Sequence, residues 1–180
     1  MLTLIIPIGA PGAGKSTMGQ FWQQNFPELQ EGNVKFFLTC RDELFARTKR
    51  EHPDWSLRKT RKHLFNLFVN FRNSVATWHQ EHPDDSIVVY LDSANIQEGG
   101  RKYMVEEFQP QRVVLVNLKR ERDILIQRVQ TRENHPTFPS NSEASKQIEI
   151  IDKILPNIEY AGDVDLAWDV EGAEIQIVEK

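Results

Sequence analysis

Gly9-Ala10-Pro11-Gly12-Ala13-Gly14-Lys15-Ser16-Thr17 follows directly on an apolar run containing Leu2, Leu4, Ile5, Ile6 and Ile8. A glycine, four residues, then Gly-Lys-Ser is the pattern of a strand-to-helix phosphate loop, whose backbone N–H groups turn inward around nucleotide phosphates. Gly12 and Gly14 permit the positive φ and close backbone approach that a β-carbon would block. Lys15 stands where a compact ammonium reaches β- and γ-phosphates, and Ser16 where a hydroxyl ligates Mg²⁺. The helix that follows adds the positive end of its dipole to the same anion site. Gly9, Pro11, Gly12, Ala13, Gly14, Lys15, Ser16 and Thr17 are therefore the expected nucleotide-binding set. A dinucleotide-binding turn is excluded, because its third glycine would fall at position 17, where Thr17 stands.

Outward from the loop, Met18, Phe21, Trp22 and Phe26 recur at helical spacing and predict an amphipathic helix that ends before Pro27. The whole chain of 180 residues has the length of one domain, and 39% hydrophobic with 27% charged residues is an ordinary globular balance. A net charge of −4 offers no general attraction to a polyanion, so nucleic acid would need a local basic patch. A single cysteine, Cys40, precludes an internal disulfide and suits a reducing compartment. With no apolar stretch of the roughly 18 residues a membrane span needs, and no basic leader, an intracellular, soluble, cytoplasmic setting is expected.

Val34 to Leu38 reads as a second strand that delivers Arg41, Asp42 and Glu43 to its carboxyl end. In an open parallel sheet that end is the ligand-binding rim, shared with the phosphate loop. A carboxylate there can accept the proton of a hydroxyl attacking a γ-phosphate. Asp42 is thus either a general base or the N-cap of the helix that runs to Arg50. Residues 54–80 predict one long helix with Leu57, Leu64, Phe68, Phe71, Val75 and Trp78 as its core stripe. Arg47, Lys49, Arg50, Arg58, Lys59, Arg61, Lys62 and Arg72 make this span basic, as a nucleic-acid patch or a solvated face.

Ser86 to Leu91 is a non-alternating run of the kind a strand covered on both faces shows, and it ends in Asp92-Ser93-Ala94-Asn95. An acid in that place is where P-loop proteins hold Mg²⁺, the alternative being an Asx-type turn. Residues 101–108 predict a crossover helix, 112–118 a buried strand, and 121–132 a helix with Arg128 and Arg132 on one face. The following segment, Glu133 to Ser140, carries His135 and two prolines; it reads as a lid, about residues 128–145, whose arginines close over phosphates, or as plain surface. His135 reads more simply as an exposed polar residue than as a catalyst. Residues 142–155 predict a helix, and a short strand pair is expected within about 163–180. Asp163 and Asp165 do not make a haloacid-dehalogenase-type acidic pair, since Leu166 stands where that motif needs glycine.

In this order the segments resemble the kinase module of phage-type polynucleotide kinases, and the lid region is similar to that of RNA-repair kinases attached to tRNA ligases. The likeness covers about residues 1–150: the loop with Pro11, Arg41-Asp42, Asp92 to Asn95, and Arg128 with Arg132. It implies a doubly wound α/β P-loop kinase with a helical lid, as one domain over residues 1–180. The implied reaction moves the γ-phosphate of ATP or GTP, with Mg²⁺, onto the 5′-hydroxyl of DNA or RNA, as in nucleic-acid repair. Asp42 inherits the role of base, Lys15, Arg128 and Arg132 bind the transferring phosphate, and Ser16 and Asp92 hold the metal. Arg41, Arg47, Arg50, Asp92 and Asn95 are the implied acceptor contacts. The arginine that the family carries three residues after the base is Phe45 here, so Arg47 or Arg50 must replace it. A small-metabolite or nucleoside kinase, and a nucleotide-binding switch or toxin-like module, are the competing readings.

Overall fold

The structure is a computed structural model that describes residues 1–25, 33–131 and 144–160, together with the short strand segments at 164–165 and 178–179. Its elements run β1 (Leu2–Ile8), α1 (Lys15–Asn25), β2 (Val34–Cys40), α2 (Arg41–Glu51), α3 (Leu57–Glu81), β3 (Ser86–Asp92), α4 (Glu98–Phe108), β4 (Arg112–Asn117), α5 (Arg122–Thr131), α6 (Ala144–Ile154), β5 (Val164–Asp165) and β6 (Val178–Glu179). One sheet has the order β2-β3-β1-β4-β5-β6. Every pairing from β2 to β5 is parallel and only β5–β6 is antiparallel.

The apolar runs divide by parity between the two faces of this sheet. Leu2, Leu4 and Ile6 join Ile87, Val89 and Leu91 on one face, under Val75 of α3 and Phe108 of α4. Ile5, Val88 and Tyr90 point the other way, into a core with Met18 of α1, Leu125 and Val129 of α5 and Ile151 of α6. Strands apolar at every position are thus strands covered twice, which is the physical content of a doubly wound sheet. The expected α/β class with its parallel sheet is what the chain forms.

Several boundaries differ from the sequence reading. Ser56 caps α3, its hydroxyl accepting from the Lys59 N–H at 3.3 Å, so the helix starts after Trp55 and not at Asp54. Leu57, expected in the core stripe, is 57% exposed, because α3 meets the sheet only from Phe68 onward. Arg72, counted with the basic face, pairs with Glu107 of α4 and serves helix packing. The strand pair expected near the C-terminus forms over Val164–Asp165 and Val178–Glu179. No described helix is long and apolar enough to cross a membrane.

Candidate active site

The loop between β1 and α1 has the conformation its glycines imply: φ is +83° at Gly12 and +98° at Gly14. Tight i→i+3 and i→i+4 contacts, Ala13 N–H to Ala10 O at 3.2 Å and Met18 N–H to Gly14 O at 2.9 Å, close the turn onto the helix. Lys15 folds back over the turn, its Nζ donating to the carbonyls of Gly9 at 2.9 Å and Ala10 at 2.8 Å. Charge-assisted bonds to phosphate are the stronger ones, so an anion in the loop competes well for that ammonium. Ser16 and Thr17 present exposed hydroxyls on the first turn of α1.

α5 covers the loop from the side. A β-carbon on Gly12 would stand 3.1 Å from the Leu125 carbonyl and 3.3 Å from Val129 Cγ1. Arg128, half-buried on the same helix, sends Nη1 to the Gly12 carbonyl at 3.4 Å. A guanidinium foreseen as a lid group therefore rests against the phosphate loop. Arg132, His135 and most of the lid segment lie outside the described residues.

On the other side of the loop, strand order sets what faces it. β3 lies beside β1 and β2 lies beyond β3. The register pairs Cys40 with Asp92, the last residues of those two strands. Asp92 is buried, at 6% exposure, and its carboxylate lies close to the Cys40 thiol. Burial, with the charge of Asp92 adding to it, pushes that thiol up to about 12. Tyr90 is raised well above its ordinary value in the same way, first by burial and then by Asp92.

α2 begins immediately after Cys40, which is its N-cap and makes no side-chain cap bond. Asp42 is therefore not the cap, the alternative its position in the sequence allowed. It is the second residue of the helix and exposed, an acidic side chain in the first turn. Two strand spacings, about 10 Å, separate the carboxyl end of β2 from that of β1. Arg41, Arg47 and Arg50 are exposed along α2, whereas Phe45 is half-buried.

Asn95 works on the loop after β3. Its side-chain nitrogen donates to the carbonyls of Pro7 at 2.8 Å, Leu91 at 3.0 Å and Ser93 at 3.1 Å, while its backbone takes a φ of +49°. The Asn95 carbonyl in turn accepts from Nη1 of Arg101, a residue only 5% exposed. The turn that orients Asp92 is thus sewn to the end of β1. Arg101 was not singled out in the sequence, where it reads as one more charge on a crossover helix. Tyr90 and Gly19 were missed too, and no local pattern marks them.

Among the described residues no group of three or more His, Cys, Asp or Glu side chains could cage a metal ion. Mg²⁺ in nucleotide sites takes one or two protein oxygens and completes its shell with water and phosphate. A buried carboxylate at Asp92 and a free-standing hydroxyl at Ser16 fit that requirement.

No protein-family model matches the chain, and no curated protein matches it. Solved structures do. A gluconokinase from Sinorhizobium meliloti 1021 superposes with a TM-score of 0.50 and 16% identity, over 93% of this chain and 84% of the other. Kti12 from Chaetomium thermophilum, in complex with ADP-AlF3, gives 0.52 and 17%, over 94% and 92%. The fold is that of the P-loop kinases. In an open parallel sheet ligands bind at the carboxyl ends of the strands, and here that rim carries, strand by strand, Asp42, Asp92 and the Lys15 loop.

Proposed function

We propose that the chain is a phosphotransferase that moves the γ-phosphate of ATP or GTP to a hydroxyl, and that the acceptor is the 5′-hydroxyl end of a polynucleotide. The observation that carries this reading is the strand order β2-β3-β1, which sets Asp42, Asp92 and the phosphate loop side by side at one sheet edge. Lys15 and the loop amides would hold the β- and γ-phosphates, with Arg128 beside Gly12 and Arg132, from the sequence reading, as the second arginine of the pair. Ser16 and Asp92 would hold Mg²⁺, which when bound neutralises charge building on the phosphates.

The gap of about 10 Å between the ends of β1 and β2 leaves room for a terminal phosphate and an alcohol in line with it. Asp42 stands across that gap to orient the alcohol and take its proton, a contribution of about 10² to 10⁴ in rate. Arg41, Arg47 and Arg50 of α2 would take the acceptor's own phosphates, and Asn95 would support the acceptor side through the turn that follows Asp92.

A polymer acceptor is favoured by local charge. Residues 41–62 hold eight basic side chains against four acidic ones, in a chain whose net charge is −4. Residues 1–180 are read as one kinase unit working in the cytoplasm, a setting in which phage-encoded enzymes also act. Labelled ATP and GTP, offered with a 5′-hydroxyl oligonucleotide and with a panel of sugars and nucleosides, test the assignment. Label is expected on the oligonucleotide. Label entering only small molecules overturns the polymer acceptor, and triphosphate binding without transfer to anything overturns the kinase in favour of a switch.

A further inference from the structure

The α2–α3 hairpin carries more than the sheet requires of it. With 25 residues α3 is about 37 Å long, while β3, at seven residues, spans about 23 Å. A short connection, residues 82–85, returns α3 to the start of β3, so the excess length lies at the other end, beside the rim where α2 begins. Phe68, Phe71, Val75 and Trp78 pack into the core on this face of the sheet, and no described apolar residue of α3 before Phe68 joins that core.

That overhanging half bears two large apolar side chains in water, Leu57 at 57% and Phe65 at 54% exposure. Scattered exposed apolar residues are ordinary. These two are not scattered, because positions 57, 61 and 65 form one helical stripe. Arg61 fills its middle, Arg58 and Lys62 flank it, and all three are exposed. Among the described residues none of the three makes an ion pair.

The corner that leads into this stripe is packed ring against ring. His52 stacks on Trp55 with ring centres 3.8 Å apart, His63 meets Trp55 edge-on at 5.4 Å, and Lys59 lies 4.2 Å above the Trp55 ring. Trp55 is thus already engaged and offers no free face. Phe65 does, within one turn of cations that are not otherwise used. An aromatic face alternating with cations is the arrangement that holds single-stranded nucleic acid, bases stacking while phosphates pair. A neutral protein surface would match Leu57 and Phe65 but leave Arg58, Arg61 and Lys62 without counter-charge.

We infer that the outward face of α3 from Leu57 to Phe65 is a docking track for the single-stranded part of a polynucleotide whose 5′ end reaches Asp42. The inference rests on the polynucleotide reading above and names where the strand lies beyond its reacting end. α2 leads from the track to Asp42, and Arg47 and Arg50 continue the positive charge between them.

Fluorescence anisotropy of 5′-hydroxyl oligonucleotides of about 4 and about 16 nucleotides, at several salt concentrations, tests it. For wild type, affinity for the longer strand falls steeply with salt. R58A/R61A lowers the slope of log affinity against log salt by about 1.4 units, at about 0.7 per lost phosphate contact. F65A weakens the longer strand about tenfold at every salt concentration, as loss of one stacked base does. Both variants transfer label to the shorter acceptor at the wild-type rate, and their melting curves match wild type because the substituted side chains are exposed. Unchanged binding of the longer strand by both variants overturns the inference. So does failure of wild type to bind it at low salt, which would return the face to a protein partner. If the variants lose binding as described while no acceptor of any length is phosphorylated, the docking track stands and the kinase assignment falls.

Discussion

The hydroxyl of Tyr90 donates a 2.7 Å hydrogen bond to the backbone carbonyl of Lys15 and so ties the interior of β3 to the first residue of α1. The ring reaches that position only because residue 19 is glycine: a β-carbon there would stand 2.7 Å from Tyr90 Cε1 and 3.1 Å from Leu38 Cδ1. Trp22 closes the other side of the ring edge-on, with centres 6.0 Å apart. The geometry of the phosphate loop is thereby set in part by a residue from another strand.

Two substitutions probe this tie. Y90F leaves the packing and removes the donor, for an expected loss of about 1 kcal/mol. G19A gains helix propensity but drives a methyl group into the ring, and overpacking of this kind costs about 1–3 kcal/mol. Denaturant melts of both variants measure it. A G19A protein as stable as wild type would show that Tyr90 does not fill the space assigned to it.

Asn95 is held by what its side-chain nitrogen can donate. N95D replaces a donor by a carboxylate facing the carbonyls of Pro7, Leu91 and Ser93, so it is expected to destabilise more than N95A. N95G keeps the φ of +49° available while losing the hydrogen bonds, and should fall nearest to wild type of the three. Thermal melts in that order of stability check the role. If N95D proved the mildest change, the amide would not be the group that holds the turn.

At Asp42 the prediction concerns rate and not binding. D42N keeps shape and hydrogen-bonding capacity but cannot take a proton, so turnover should fall about 10² to 10⁴ while affinity for a fluorescent ATP analogue is kept. K15M should do the reverse and lower nucleotide affinity, because Lys15 is the ammonium nearest the loop. Full turnover in D42N would remove Asp42 from the chemistry.

Cys40 gives a pH signature. Its thiol in the folded chain is pushed up to about 12 from an ordinary value of 9.0. The folded state therefore keeps a proton that the unfolded chain begins to release near pH 9. Stability from this group is full below that pH and declines as pH rises toward 12. C40A should flatten the alkaline fall in melting temperature between those limits. At pH 8 the thiolate is scarce, so alkylation of Cys40 should run at least about a hundredfold slower than that of an exposed cysteine, and should recover on unfolding. Rapid labelling of the native protein would mean that the thiol does not face Asp92.

The legible and the illegible parts divide along a physical line. Gly9 to Thr17 could be read directly because a phosphate cradle is built from consecutive backbone amides, and glycine φ is a local property. The strands and helices were readable from spacing for the same reason, down to the exposed basic side chains of α2 and α3. Asp42 was ambiguous, since a carboxylate near a helix start serves as cap or as base, and only the turn geometry at Cys40 removed the cap. Leu57 could not be told from a core residue by periodicity, because periodicity does not say where a sheet ends beneath a helix.

By itself the sequence determined that a phosphate loop joins the first strand to the first helix, and that the strands would be buried on both faces. Which acids share the rim with that loop was a matter of strand order, β2-β3-β1, and of the register that pairs Cys40 with Asp92. The tie of Tyr90 to Lys15, the approach of Arg128 to Gly12 and the sewing of the Asn95 turn to Pro7 were likewise decided by the tertiary structure. Each joins residues 75 to 116 positions apart. Contacts that far apart form only when the sheet assembles, so no local pattern in the chain could carry them.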